Sequence, residues 1–346
     1  MINRMIIIVC GILLVEVSHA DDILKSEPDA SVCTWRFNKK AAISFTMDDG
    51  FSDAATIAAP MLEHYGWRGT FYIVVQSILE KHKHQTDWKT WKELARRGHE
   101  IGSHSWTNRY LKNIRDPSVY LRELVDSKKM ITEKVDVVSL TFAYPSCAYD
   151  ESSKKETLKH YVHDRSGKGT SVYGKKPANS TAVWTSLDAI KDIDNTIKTS
   201  AWHVALIHNV GRDIGYRPTS AEDFKTILDH VKEYEADLWI DTYANVALYK
   251  KARSTSDLVV LKSTANSMTI QLELEEAWND EYPMPYLTVR IPLKAKPAEI
   301  QVISASTSLA YSGYWQDGFV LADLPPDSTP VTISWTAKMQ GYKIRG

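Results

Sequence analysis

The sequence predicts an α/β fold with a barrel-like parallel sheet, followed by a small all-β domain. Short apolar runs alternate with amphipathic stretches from residue 41 to residue 252, a pattern typical of parallel strands covered by helices. About seven such units are present, which favours a barrel-like closure over an open sheet. From Arg253 onward, apolar and polar residues alternate with prolines between the runs, as in the antiparallel strands of a sandwich.

The individual elements follow from local patterns. The first helix, 52–65, places apolar residues on one face and is ended by Gly66, whereas β-branched and aromatic residues make 69–75 a strand. Strands are predicted at 41–46, 69–75, 99–102, 137–142, 161–165, 202–207 and 238–242. Helices are predicted at 52–65, 90–97, 117–134, 151–160, 187–199, 220–236 and 243–252. The alternating runs of the second part lie at 268–274, 287–291, 300–303, 319–321 and 331–335.

Residues 1–20 have the features of a cleaved secretory signal peptide. Arg4 supplies a positive charge, 5–15 are mostly apolar, and 18–20 form a small-residue cleavage pattern. The apolar stretch is too short to span a bilayer, and no transmembrane segment is predicted elsewhere. We therefore expect a secreted or periplasmic protein with a barrel at 21–252 and an accessory β domain at 253–346. Lipid attachment at Cys10 is disfavoured by the bulky residue before it.

Charge and cysteine content limit the function classes. The net charge is −1, with 42 basic and 43 acidic residues, so no basic excess is available to neutralise the phosphates of a nucleic acid. After removal of the signal, Cys33 and Cys147 remain. They form either a disulfide or two buried thiols, and they are too few for a cysteine zinc site. The sequence leaves the oligomeric state open.

Polar residues suited to catalysis follow the carboxyl ends of the predicted strands. They are Asp48, Asp49, His104, Tyr144, Arg165 and His208. Active sites of α/β barrels are built at that rim. The adjacent carboxylates of Asp48 and Asp49 repel each other, so they call for a metal, a cationic partner or a shared proton. The alternative is a solvated turn in which Gly50 supplies a positive φ.

Four motifs in order resemble those of the polysaccharide deacetylases, the NodB-homology group known as carbohydrate esterase family four. They are Thr46-Met47-Asp48-Asp49-Gly50, Gly98-His99-Glu100-Ile101-Gly102-Ser103-His104-Ser105, Phe142-Ala143-Tyr144-Pro145 and Leu206-Ile207-His208. The resemblance covers about residues 36 to 250. It implies a distorted (β/α) barrel and a metal-dependent hydrolase that removes N- or O-acetyl groups from a polysaccharide or oligosaccharide.

The resemblance also implies a role for each matching position. Asp48 would be the general base and His208 the general acid, and Asp49 and His104 would be metal ligands. The expected cofactor is a divalent metal, zinc first, with cobalt, nickel or manganese as alternatives. Such a metal polarises the acetyl carbonyl and acidifies a water, while one carboxylate stays free to take the proton.

Substrate contacts are expected from three further residues. Tyr144 lies in the third motif, and the backbone N–H of Ser146 matches the family's oxyanion donor. Trp184 is a candidate for an apolar wall of the pocket.

Two departures from the family pattern leave alternatives open. Asn108 stands where the family has its second metal-binding histidine. It is a third ligand, or His99 or His203 replaces it, or the metal is lost and the chain only binds carbohydrate. Ala143 replaces the arginine beside the base; Arg165 supplies that charge or is an ordinary surface or ion-paired arginine. A hydrolase of another amide or ester is a further alternative, because a fold does not fix the substrate.

Overall fold

The computed structural model describes residues 29–174 and 185–336, so the predicted signal peptide, Cys10 and Trp184 lie outside the described residues. The strands of the first part are β1 (Ser31–Val32), β2 (Ala41–Met47), β3 (Thr70–Ile73), β4 (Glu100–Ser103), β5 (Thr141–Ala143), β6 (His163–Arg165), β7 (Thr170–Val172), β8 (Trp202–Ile207) and β9 (Leu238–Ile240). Those of the second part are β10 (Ser256–Ser263), β11 (Ser267–Leu274), β12 (Leu287–Pro292), β13 (Glu299–Ser304), β14 (Gly313–Gln316), β15 (Phe319–Leu324) and β16 (Val331–Thr336).

The helices alternate with the strands of the first part. They are α1 (Ala59–His64), α2 (Val75–Leu79), α3 (Trp88–Arg96), α4 (Pro117–Tyr120), α5 (Ser127–Val135), α6 (Glu151–Thr157), α7 (Ser186–Thr199), α8 (Ala221–Glu233) and α9 (Tyr243–Ser254). Wide π-type turns at Ala54–Ala58 and Leu121–Asp126 extend α1 and join α4 to α5. None of the described helices has the length and apolarity needed to cross a lipid bilayer.

A curled parallel sheet forms the centre of the first part, which confirms the predicted α/β fold. Its strand order is β6-β5-β4-β3-β2-β8-β7. Two strands pair with the same edge of β2: β9 pairs with Ala41–Ile43 and β3 pairs with Thr46–Met47. Within the described residues β6 and β7 are the outer strands, so the sheet is an incomplete barrel. Every residue of β2 is buried, as expected for a strand covered on both faces.

Among the elements that differ from the prediction, two have a clear local reason. Residues 69–75 were expected as one strand, but β3 ends at Ile73 and α2 begins at Val75. The N–H groups of Val75 and Gln76 donate to the carbonyls of Ser105 and Trp106, which turns the chain away from the sheet. Strand β7 was not predicted, because its three half-buried residues carry too short a pattern.

The second part is a sandwich of two antiparallel sheets, as predicted. The strand orders are β1-β12-β15-β14 and β10-β11-β16-β13. Alternate residues of the facing strands are buried in one apolar cluster, for example Ile270, Val289 and Ile333. Strand β1 lies within the region 21–252 that was predicted to form the barrel, yet it pairs with β12 and adds an edge strand to the sandwich.

Helix α9 packs the parallel sheet onto the sandwich. Its Tyr249 is fully buried, packs edge-to-face with Trp239 at a distance of 5.2 Å between ring centroids, and donates a hydrogen bond of 2.9 Å to the Cys33 carbonyl. Both aromatic residues belong to the same apolar cluster as the sandwich core. Cys33 is a buried free thiol and Cys147 a half-buried free thiol, so the alternative of a disulfide between them is wrong.

Tyr249→Ala should lower the free energy of unfolding by about 3–5 kcal/mol, because it leaves a cavity between the two parts. Tyr249→Phe removes only one hydrogen bond and should cost about 1 kcal/mol. Urea denaturation followed by circular dichroism measures both. Equal losses for the two variants would show that the ring does not join the two parts.

Candidate active site

The carboxyl ends of four strands bring the predicted residues to one rim. Asp48 and Asp49 follow β2, His104 follows β4, Arg165 ends β6 and His208 follows β8. All four strands run parallel, so their carboxyl ends lie at the same edge of the sheet. The rim is therefore assembled by the fold from residues far apart in the chain.

Asp48 and Arg165 form a buried ion pair at the centre of this rim. Arg165 Nη2 donates a hydrogen bond to Asp48 Oδ2. Arg165 is 1% exposed and Asp48 is 3% exposed. Burial alone would raise the pKa of Asp48, but the charge of Arg165, with smaller effects of His104 and His208, lowers it below its usual value. Arg165 is thus no surface arginine, and its partner is the predicted base.

The second oxygen of Asp48 is buried and free. Among the described residues Asp48 Oδ1 has no hydrogen-bond partner, and neither have Nε and Nη1 of Arg165. The Asp48 backbone N–H donates to the Ile207 carbonyl at 2.8 Å, which fixes the residue to β8. A held carboxylate with one unpartnered oxygen can accept a proton or a hydrogen bond from a bound molecule.

Asp49, His104 and Asn108 lie together beside this pair. Asp49 Oδ1 is 3.6 Å from His104 Nε2 and 3.3 Å from Asn108 Nδ2. His104 Nδ1 is 2.8 Å from the Ala143 carbonyl oxygen, which can only accept, so Nδ1 carries the hydrogen. Nε2 of the ring consequently faces Asp49. The structure thus brings these three residues together.

A tight turn sets the position of the Asp49 carboxylate. Asp49 and Gly50 both have φ of 69°, in the left-handed region. A Cβ atom at Gly50 would lie 3.1 Å from Gln85 Oε1 and 3.3 Å from the Ile73 side chain. Gln85 Nε2 also donates to the Asp49 carbonyl at 3.0 Å. Gly50 therefore serves both the backbone conformation and the close approach of Gln85.

The donors present fit a divalent metal. They are a carboxylate oxygen of Asp49, the Nε2 of His104 and the side-chain amide of Asn108, whose oxygen replaces its nitrogen by a half-turn about χ2. Three protein ligands leave an open position, as in catalytic zinc sites, although an amide binds zinc less strongly than imidazole. Within the described ranges no three His, Cys, Asp or Glu residues gather for a metal, so Asn108 is the third donor at hand.

Neither alternative histidine reaches the rim. His99 precedes β4 at the opposite end of the sheet, where its ring accepts from the Gly69 N–H at 3.0 Å and contacts Glu63 at 2.9 Å. His203 is the second residue of β8 and hydrogen-bonds Tyr173 at 2.7 Å. Burial lowers the pKa of His203 to about 4, as expected for a neutral core histidine. The alternative that either residue replaces Asn108 is wrong.

His208 is partly exposed and lies near enough to Asp48 and Asp49 for their charges to act on it. Burial lowers its pKa, and the charges of Asp48 and Asp49 oppose that shift without cancelling it. Its ring meets the edge of the Tyr216 ring with centroids 5.1 Å apart. Tyr216 is itself 55% exposed, so it forms part of the surface beside His208.

A polar clamp that the sequence reasoning missed holds the His208 loop. Asn209 Nδ2 donates to Asp53 Oδ2 at 3.3 Å and to the Arg212 carbonyl at 2.9 Å, and Arg212 Nε donates to Asp53 Oδ2 at 2.8 Å. The clamp joins the loop after β8 to the helix after β2. The positions of Asp53 and Asn209, next to the first and last motifs, were the only sign of it in the sequence.

A buried glutamate orders the loop that carries Asn108. Glu123 Oε2 accepts from the N–H groups of Trp106 and Thr107 at 3.0 and 2.9 Å, and Oε1 accepts from Thr107 Oγ1 at 2.7 Å. The Asn108 N–H donates to Ser105 Oγ at 3.0 Å. Glu123 was missed because an acidic residue in a helix usually marks a solvated face.

The predicted substrate contacts lie in different settings. The Tyr144 ring is buried against Phe142 and Tyr149, and the Tyr144 N–H donates to the Arg165 carbonyl at 3.2 Å. Tyr144 is therefore tied to Arg165 through the backbone, while its ring packs in an aromatic cluster. Ser146 is exposed on the turn after β5 with φ of 53°. Trp184 lies outside the described residues.

Two curated proteins are similar to this chain. A gellan lyase of Bacillus sp. is 23% identical over 339 residues, which are 88% of this chain and 13% of that protein. YxkH of Bacillus subtilis strain 168, named as a polysaccharide deacetylase, is 31% identical over 117 residues, 34% of this chain and 41% of that protein. The chain thus spans less than half the length of each relative.

Solved structures show similarity at low identity. A family 4 acetyl xylan esterase of Clostridium thermocellum, in complex with a cobalt ion, has a TM-score of 0.43 and 18% identity over 59% of this chain and 89% of its own. A CE4 family pseudoenzyme of Bacillus anthracis has a TM-score of 0.42 and 15% identity over 61% of this chain and 66% of its own.

The family comparison covers the part of the chain that builds most of the rim. Residues 36–163 match the family model described as polysaccharide deacetylase. This stretch contains the Asp48–Asp49 turn, the His104 loop and the third motif. The expected resemblance to the polysaccharide deacetylases is confirmed over residues 36–163.

Proposed function

We propose that the chain is a metal-dependent hydrolase that removes acetyl groups from a polysaccharide or oligosaccharide. The proposal depends mainly on Asp48, a buried carboxylate with one oxygen held by Arg165 and the other unpartnered among the described residues. The match of residues 36–163 to the polysaccharide deacetylase model supports action on a glycan. One relative is named for a lyase, a different activity, but this chain spans only 13% of its length.

Asp49, His104 and Asn108 would hold the metal, with zinc as first choice and cobalt, nickel or manganese as alternatives. When bound, such a metal would polarise the acetyl carbonyl and make a neighbouring water more acidic. Asp48 stays apart from these ligands because Arg165 holds its Oδ2.

Asp48 is suited to take a proton from the attacking water. Its lowered pKa keeps it ionised at neutral pH, and Oδ1 is the free acceptor. The Arg165 guanidinium fixes the orientation of this oxygen and stabilises the negative charge of the carboxylate. Arg165 therefore supplies the charge of the family's arginine, whose position is occupied by Ala143 in this chain.

His208 is suited to deliver a proton to the leaving amine or alcohol. A histidine whose pKa is lowered gives up its proton readily once it has been protonated. Its partial exposure and the neighbouring Tyr216 ring leave room for a sugar next to it. The exposed turn of Ser146 could present its N–H to the developing oxyanion.

We also propose the organisation of the whole chain around this site. The signal-like residues 1–20 support export to the periplasm or the cell exterior. Residues 21–252 would form the catalytic domain and 253–346 an accessory β domain.

A second candidate function is carbohydrate binding without hydrolysis. It is favoured by Asn108, because a neutral amide in place of imidazole weakens a metal site. In this case the fold and the Asp48–Arg165 pair persist, but the third ligand is too weak to retain the metal.

Asp48→Asn should reduce acetate release from acetylated oligosaccharides by about 10²–10⁴-fold, because it removes the proton acceptor. Its metal content should match that of the wild type. The matched variant Asp49→Asn should lose both metal and activity. Enzymatic acetate assays and elemental analysis measure the two properties, and a thermal melt checks folding.

Unchanged acetate release from Asp48→Asn would contradict the assigned base. Equal metal loss in both variants would show that the two carboxylates do not divide the roles as proposed.

Asn108→His separates the two candidate functions. Imidazole should tighten zinc binding on the order of tenfold, measured by competition with a chelator. Asn113→His is the matched control, since Asn113 lies in the same loop with φ of 62° against 60° for Asn108. If wild type binds glycan without releasing acetate and Asn108→His gains release, the second candidate holds; acetate release by the wild type supports the first.

A further inference from the structure

The loop after Asn108 borders a cleft of about 380 Å³ that the proposed chemistry does not use. Arg109, Tyr110, residues 112–116 and Val119 line it. Three of the lining residues are the cations Arg109, Lys112 and Arg115, and one is the carboxylate Asp116. This concentration of positive charge contrasts with the near-neutral chain as a whole.

The three cations are exposed and have no ion-pair partner among the described residues. Asp116 accepts instead from the N–H and Oγ of Ser118, at 2.9 and 2.8 Å, where it caps α4. Arg109 is near enough to Asp116 to act on its charge, but the other two cations keep the cleft positive. Unpaired cations around a concave surface attract anions.

The loop is held in one conformation by contacts behind the cleft. Leu111 is fully buried in an apolar cluster with Leu124 and Phe142. The Asn113 N–H donates to Asp150 Oδ2 at 2.7 Å, and Tyr120 Oη donates to the Ile114 carbonyl at 3.3 Å. The cationic side chains are therefore presented by a fixed backbone, which lowers the entropy cost of binding a ligand.

The cleft begins at the edge of the candidate active site. Arg109 directly follows Asn108, whose side chain is 3.3 Å from Asp49, and consecutive Cα atoms are about 3.8 Å apart. Tyr110 is 60% exposed, so its ring is available for stacking on a sugar. A glycan with one unit at Asp48 could therefore place its next units along this loop.

We propose that this loop binds anionic sugar units of the glycan, carrying carboxylate or sulfate groups, beside the unit to be deacetylated. The planar guanidinium groups of Arg109 and Arg115 match the paired oxygens of such groups, and Lys112 adds a third charge. The inference names a substrate class for the proposed deacetylase and so rests on that function, but binding itself can be tested alone.

The test compares the wild type with the triple variant Arg109→Gln, Lys112→Gln, Arg115→Gln. Calorimetry measures binding of three oligosaccharides without acetyl groups: an oligogalacturonate, a sulfated oligosaccharide and a neutral cello-oligosaccharide of similar length. The wild type should bind an anionic probe more tightly than the neutral one. The triple variant should bind that probe about tenfold more weakly, with neutral binding unchanged.

A control variant carries the same loss of charge at Arg253, Lys294 and Lys296, which are exposed cations far along the chain. It should bind like the wild type, and the better anionic probe identifies the group recognised. Equal loss in this control, unchanged anionic binding in the triple variant, or no anionic preference in the wild type would each overturn the inference.

The outcomes also separate this inference from the proposed function. Charge-dependent binding without acetate release overturns deacetylation and leaves the inference standing, whereas acetate release without anionic preference does the reverse. In an active enzyme the triple variant should raise the KM for an acidic acetylated glycan while kcat stays unchanged.

Discussion

The ion pair between Asp48 and Arg165 depends on the curvature of the sheet, and the site depends on the pair. Three strands separate β2 from β6 in the sheet order. In a flat sheet these strands would lie about 19 Å apart, far beyond the reach of an arginine side chain. Only the curled sheet lets Arg165 donate to Asp48.

Such a pair is a poor source of stability, because both charges lose their hydration when they are buried. Removing one partner is costly, however, about 3–5 kcal/mol, because the other charge is left buried and alone. The pair therefore fixes the geometry of the rim more than it stabilises the fold. Its benefit is an oriented carboxylate with a low pKa and one free oxygen.

One loop joins the candidate metal ligands to the candidate glycan contact. Glu123 fixes its start through Trp106 and Thr107, Asn108 faces Asp49, and Arg109 opens the cationic cleft. A change in this loop would therefore affect ligand geometry and glycan binding together. Because Glu123 orders the start of this loop, Asn108 lies 3.3 Å from Asp49 although it is exposed.

The sequence predicted those parts of the site that lie next to strand ends. Asp48, His104 and His208 could be placed because apolar runs mark the strands, and parallel strands end at one edge. The contact of Arg165 with Asp48 could only be offered as one of two alternatives, because it needs the curl of the whole sheet. Glu123 gave no local sign, since its partners Trp106 and Thr107 precede it by 17 and 16 residues.

For the fold, too, local patterns predicted the elements but not the contacts between residues far apart in the chain. Long apolar and alternating runs predicted the parallel sheet and the sandwich. Strand β1 is only two residues long, and its partner β12 lies over 250 residues away in the chain, so no local pattern could reveal the pairing. The free state of Cys33 and Cys147 likewise depends on where the fold puts them.

The central claim is that the rim at Asp48 works as a metal-dependent deacetylase centre. The most direct test measures acetate released from acetylated oligosaccharides by the purified chain as isolated, after chelation, and after zinc is restored. The account predicts about one metal per chain, release that is lost on chelation, and recovery with zinc. A correctly folded chain that binds the glycan but releases no acetate with zinc, cobalt, nickel or manganese would contradict it.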